Sequence, residues 1–450
     1  MAKVSELEKY LRAQSSEGQK DSEGTFSISQ DEALKKLAGF QLPFEGAWAL
    51  KIIQAAVAAG GCESIGVTLS RSEQCFVLAG LQNWSLESVE SALLDLDRGK
   101  DRSIQHLVTG LRGVGFSDLR GFWLGLPGEE FALTWDGREL KRLPIEHPVR
   151  HPVLNITCKA LFEEGGFFGL SSLLAARERN ATTQRVLATL AYTCPVPLEL
   201  DGLRLDALEF NPHHGWGKVS QLLALGFAES DQLPQLVLPR RTGGVLSSDH
   251  PIQRSIKEAT ESTRTRPCDL SHCAVPFLVS AHLERVKSGK SHVWKERTSA
   301  SHCNWVADGV VVQAEVANTD VSFCSLGWYV SADGLDVDLT SLYLRRGPEK
   351  ERRYQESLKA VTESLQDLIG CDFSKITEVE SQNAKTGGVI LLVLGAGLSF
   401  ASPFHGIGML GFGAFSLISS FSAGKERERS LYRGLEELYR MLEELTTKTL

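Results

Sequence analysis

Apolar residues in the stretch Phe40 to Gly61 (FQLPFEGAWALKIIQAAVAAGG) fall at Ala49, Ile52, Ile53, Ala56 and Val57. This spacing of three and four predicts a helix that stops at Gly60-Gly61. Alternation then replaces it: Ser64 to Leu69 (SIGVTL) and Cys75 to Leu78 (CFVL) read as strands around the polar turn Ser70 to Gln74. Helical spacing returns at Ser85 to Leu96, where Val89, Leu93, Leu94 and Leu96 follow Ser85 as N-cap, and again at Ser103 to Thr109. Phe122 to Leu126 and Phe131 to Trp135 are expected strands, joined by Pro127-Gly128 and closed by Asp136-Gly137. Helices followed by a run of antiparallel strands predict an α+β chain that opens with a two-layer α/β sandwich.

The prolines of His147 to Pro152 (HPVRHP) mark an expected boundary. Beyond it, Val153 to Cys158 reads as a strand, Leu170 to Tyr192 as a long helix, and Pro195 to Asp206 as a hairpin turning at Asp201-Gly202. Arg240 to Pro267, rich in Ser, Thr and Arg, reads as a linker around one short helix, Ile252 to Ser262. Asn304 to Val306, Val310 to Glu315 and Val321 to Cys324 are expected strands of one sheet, with Asp308-Gly309 as a hairpin turn and an alternating run, Leu335 to Leu344, after Asp333-Gly334. The resulting division is a flexible leader (1–29), a first domain (30–146), a second mixed α/β domain (147–239), a linker (240–267) and a segment (268–348) that either continues the second domain or forms a third, small β-rich one. An amphipathic helix and linker (349–384), a hydrophobic hairpin (385–424) and an amphipathic C-terminal helix (425–450) complete it.

The tail changes the picture most. Leu358, Val361, Leu365 and Leu368 form one apolar stripe, and Leu431, Leu435, Leu438, Leu442 and Leu445 form another of coiled-coil type. Between them, Gly387 to Gly424 runs for 38 residues without Asp, Glu, Lys or Arg, broken at Ser402-Pro403-Phe404-His405. The two halves, Gly387 to Ala401 and Gly406 to Ala423, are each shorter than the ~20 residues of a straight crossing, which favours a membrane hairpin or re-entrant pair. Lys385 on one side and Lys425, Arg427 and Arg429 on the other place both ends in the cytoplasm. Gly395, Gly397, Gly406, Gly408, Gly411 and Gly413 offer small faces for close helix approach. The expected location is the cell membrane, through residues 387–424, with the main body and C-terminal helix on the cytoplasmic side. The flanking helices are free to pair with each other or between subunits of a homo-oligomer.

Composition adds exclusions. A net charge of −8 gives no electrostatic reason to expect nucleic acid. Met1 to Arg12 lacks the apolar core of a secretory signal. Nine scattered cysteines, an odd number without framework spacing, suit a reducing compartment. His213-His214 and the group Cys268, His272, Cys273 and His282 lack paired ligand units, so no metal is assigned.

One cluster carries candidate chemistry. Thr109 to Asp118 (TGLRGVGFSD) holds Gly110, Gly113 and Gly115 in a spacing that lets backbone amides approach phosphates, with Arg112 as the charged contact. With the preceding helix and strand pair, these residues resemble the GHKL superfamily, the Bergerat-fold ATPases, over residues 30–140. In that family the first helix carries a water-activating Glu and, four residues on, a magnesium-holding Asn; here those positions are Lys51 and Ala55. The family's adenine-reading Asp falls on Ala79, and the two glycines that follow it in the family's turn are absent from Gly80-Leu-Gln-Asn83. The resemblance therefore implies a pseudo-ATPase without catalytic residues, a binding, scaffolding or signalling module in which any nucleotide held, ATP or ADP, is not hydrolysed, the glycines otherwise making only a tight turn packed on a sheet, and whose protein partner the sequence does not identify. The alternative it leaves open is an active chaperone-like ATPase drawing its metal ligand and base from Glu45, Asp95 or Asp97.

Overall fold

The computed structural model describes residues 42–94, 101–114, 119–137, 139–158, 169–206, 218–239, 274–288, 291–317, 324–338, 340–369 and 424–448. The expectations for the leader, the linker 240–267, the candidate metal residues 213, 214, 268, 272 and 273, and the hydrophobic stretch up to residue 423 lie outside them.

The first helix, α1 (Ala47–Ala59), is buried at every position from Ala47 to Ala56. A helix that is almost wholly apolar has no solvent face to present, so it lies inside the molecule. It ends at Gly60, whose φ of 69° is open to glycine at no steric cost. Strands β1 (Ser64–Leu69) and β2 (Glu73–Ala79) follow as an antiparallel pair in the register Ile65↔Leu78, Val67↔Phe76. On β2, Gln74, Phe76 and Leu78 are buried on one face, as the two-residue period of a strand requires. Helix α2 (Leu86–Leu94) begins where Ser85 Oγ accepts from the amide of Ser88, the cap expected of that serine.

Helix α3 (Arg102–Val114) is longer than its apolar spacing alone predicted and carries Gly110 and Gly113 inside it. Strands β3 (Leu119–Gly125), β4 (Phe131–Trp135) and β5 (Leu140–Pro144) form a meander, β6 (Val153–Cys158) returns beside β3, then α4 (Gly169–Leu190) leads to the short strands β7 (Leu198–Leu200) and β8 (Leu203–Arg204). The sheet runs β5-β4-β3-β6-β2-β1-β7-β8. The boundary expected at 147–152 therefore falls within one unit: β6 inserts between β3 and β2, and β7 pairs in parallel with β1. His147 to Pro152 is a connection; Pro152 has no N–H to give, but its carbonyl accepts from the Leu78 amide of β2 at 3.0 Å. Helices cover one face of this sheet. Trp48 of α1 meets Phe76 edge-on with ring centroids 5.5 Å apart, and Thr183 of α4 donates to Gln74 on the same face.

The second sheet contains β9 (Lys218–Ala228), β10 (Val275–Ser288), β11 (Ser291–Glu296), β12 (Ser301–Ala307), β13 (Val310–Ala317) and β14 (Cys324–Ser331). Its order is β11-β10-β14-β12-β13 with β9 on β10, and β12 and β14 run parallel. The alternating run at 335–344 forms a loop closed by a single bridge, Val337↔Leu344, in place of a strand. Helix α5 (Pro348–Ile369) lies on this sheet, where Trp328 Nε1 donates to Ser357 Oγ at 3.1 Å. Helix α6 (Gly424–Lys448) packs on α5 and β14, burying Leu435, Leu438 and Leu442 in the same core as Leu358, Val361 and Leu365. Among the described residues no helix is long and apolar enough to cross a membrane.

Candidate functional site

Gly110 and Gly113 do not lie in a loop. Gly110, Arg112 and Gly113 lie in α3, where Ile104, Leu107, Val108, Leu111 and Val114 continue an apolar stripe, and Gly115 lies outside the described residues. A Cβ at Gly110 would stand 3.0 to 3.1 Å from Ile52 Cδ1, Lys51 Cβ and the Trp48 carbonyl oxygen. One at Gly113 would stand 2.2 Å from Leu42 Cδ1 and 3.4 Å from Trp48 Cβ. The glycines thus let α3 lie directly against α1. Their amides sit within the helix, and they do not form an open phosphate cradle. Arg112 donates to the carbonyls of Ala92 at 2.9 Å and Leu93 at 3.2 Å, satisfying acceptors at the end of α2 that a helix leaves unpaired.

The magnesium and base positions are equally closed. Ala55 is fully buried and offers no oxygen, where magnesium demands a tight oxygen octahedron. Glu45 is exposed in the turn before α1, and Asp95 and Asp97 lie outside the described residues. Ala79 ends β2, and Asn83 donates to the Ala59 carbonyl at 2.9 Å, fixing the end of α1. These residues do not fit a magnesium nucleotide held as the resemblance implies.

What the fold does assemble is a polar cluster around Lys51, between the two sheets. Lys51 is 0% exposed. Its Nζ donates to Gln54 Oε1 at 2.7 Å, faces His106 Nδ1 at 3.3 Å and lies 3.4 Å from the Ser341 carbonyl oxygen. Gln54 in turn donates from Nε2 to the carbonyl of Ala307, at the end of β12. The other ring nitrogen of His106, Nε2, is 2.9 Å from Asp308 Oδ2. One tautomer satisfies both contacts: Nε2 carries the proton toward Asp308 and Nδ1 accepts from Lys51. Arg102, one turn before His106 on α3, bridges Asp308 at 2.7 Å and Asp333 at 2.9 Å.

Local structure sets each member in place. Asp308 has φ 47° and Gly309 φ 75°, the pair of positive angles of the tight turn joining β12 to β13. That turn plugs into the first unit: the Gly309 carbonyl accepts from Thr193 Oγ1 at 3.0 Å, and a Cβ on Gly309 would stand 2.7 Å from Pro195 Cδ. Ser341, also at a positive φ of 53°, belongs to a loop wrapped around Asp338, which accepts from the Thr340 hydroxyl and the amides of Leu342 and Tyr343. Burial alone would raise the Asp338 carboxyl, but these donors hold it below its ordinary value. Arg353 of α5 donates to the carbonyls of Ser331 and Asp333, bracing the turn that carries Asp333.

Burial lowers the His106 pKa below its ordinary 6.5; the hydrogen bond it donates to Asp308 opposes this, and the charges of Lys51 and Arg102 reinforce it. The ring is therefore a neutral relay between a carboxylate and an amine. Lys51 and the Asp308-Gly309 and Asp333-Gly334 turns stand out in the sequence, whereas His106, Arg102, Gln54 and Ser341 do not. Asp308 is 202 positions from His106, and Ser341 is 290 from Lys51, so no local pattern marks them.

No protein-family model and no curated protein matches the chain. Among solved structures 147 chains match. One is a variant of the Aquifex aeolicus MutL ATPase domain, at 9% sequence identity and a TM-score of 0.27, covering 69% of this chain and 96% of that chain. At that TM-score the likeness carries no argument about the site.

Proposed function

We propose that this chain is a non-hydrolysing binding or scaffolding head, a pseudo-ATPase in form, held at a membrane through residues 387–424. The observation that carries the reading is the buried Lys51. At the position where a GHKL ATPase keeps its water-activating glutamate, this chain places a side chain that joins Gln54, His106 and Ser341 across two sheets. A general base must be able to accept a proton from an attacking water, and a group sealed from solvent among these partners has no water to act on. Ala55 removes the magnesium ligand from the same helix. The helix that would do chemistry serves instead as the joint of the head.

Membrane attachment rests on the sequence: a long uncharged stretch, broken in its middle, basic at both ends and flanked by amphipathic helices. The pairing of α5 with α6 supports it, since both flanks then return to one head. The test is a calorimetric titration of the full-length chain in detergent with ATP, with and without Mg²⁺. Any heat of binding is expected to be the same in both; a magnesium-dependent increase in affinity would remove the proposal.

A further inference from the structure

We infer that the chain Asp308–His106–Lys51 is a proton-weakened latch between the two sheets: protonation of His106 loosens the hold of α1 and α3 on the β12–β13 turn. The inference is independent of whether a nucleotide binds. It starts from geometry. The two units meet at this turn: His106 reaches Asp308 and Lys51 reaches Ser341, the Lys51–His106 contact joins these two, and Gln54 to Ala307 and Arg102 to Asp308 cross beside them. The ring can serve both neighbours only while Nδ1 is an acceptor. A proton there would turn that nitrogen into a donor pointing at the Lys51 amine 3.3 Å away, in a site where His106 and Asp308 side chains are only 8% and 11% exposed.

Among the described residues, the charged groups facing the ring are Lys51 from α1, Arg102 from α3 itself, Asp308 from the β12–β13 turn and, through Arg102, Asp333 from the turn after β14. Asp308 would welcome the added charge; Lys51 and Arg102 oppose it, and burial opposes it most. The sign follows. A histidine that binds its proton less readily in the closed state than in the open one contributes its full stabilisation above its ordinary value of 6.5. That contribution is lost as pH falls below 6.5 toward the depressed value of the closed state. Linkage of one proton limits the effect to about a tenfold rise in opening per pH unit.

The test is hydrogen exchange on the full-length chain in detergent between pH 7 and 5, corrected for the chemical exchange rate. Amides of 47–58 and 303–314 are expected to exchange faster below pH 6.5, by up to about tenfold per unit, while 131–144 on the far edge of the first sheet stay unchanged. The variant His106→Gln, which keeps one donor and one acceptor but does not titrate, should lose the response. No acceleration in the wild type, an acceleration shared equally by 131–144, or the same response in His106→Gln would each overturn the latch. If His106→Gln does not fold, the pattern across the wild-type segments decides alone.

Discussion

Lys51 and Gly110 show how single residues set the character of this molecule. Lys51 fills space with its alkyl stem and ties two sheets with its amine, so truncation should act twice, through a cavity and through partners left without a hydrogen bond. Lys51→Ala is expected to lower stability by about 2–5 kcal/mol in urea unfolding; a change within ~0.5 kcal/mol would mean the cluster holds nothing together. Gly110 faces the backbone of α1, which cannot move aside, whereas Gly113 faces the far end of the Leu42 side chain, which can. Each Gly→Ala change gains about 1 kcal/mol of helix propensity. For Gly110→Ala the overpacking should outweigh it by about 1–2 kcal/mol, and Gly113→Ala should cost less. Thermal unfolding of the pair measures the difference; equal effects would refute the close-packing role of Gly110.

Elements with a strong local signal were legible. Helix α1, strands β1, β4 and β6, and both Asp-Gly hairpins stand where period and turn chemistry put them, because each is specified by residues a few positions apart. Gly110 and Gly113 mislead because a small residue at spacing three serves a phosphate loop and a close helix contact alike. β6 was assigned beyond a boundary because its partners, β2 and β3, are set by sheet order, which a linear pattern does not encode. The polar cluster was invisible for the same reason. Two predictions belong at this scale. Gly309→Ala combines a strained positive φ with a contact to Pro195, and should cost about 2–4 kcal/mol and loosen the second sheet from the first. Leu438→Ala opens a cavity under α6 and should cost about 2–5 kcal/mol. If the variant instead melts like the wild type, the α5–α6 pairing contributes nothing to the head.

At the scale of the whole molecule, two sheets share one buried helix, and a pair of C-terminal helices brackets a long uncharged stretch. Removing residues 370–450 is expected to release the head from membranes but also to expose Leu358, Val361 and Leu365, which α6 now helps to cover. The intact chain should remain in the membrane pellet after carbonate extraction; its appearance in the supernatant would contradict the hairpin reading of 387–424. In the proposed reading α1, which stands where the GHKL resemblance implies a catalytic helix, is a structural joint. Steady-state phosphate release from ATP by the purified full-length chain with Mg²⁺ tests this. Release is expected at the rate of the uncatalysed control, for the wild type and for Glu45→Gln alike. Magnesium-dependent turnover by the wild type that Glu45→Gln, Asp95→Asn or Asp97→Asn abolishes would contradict it.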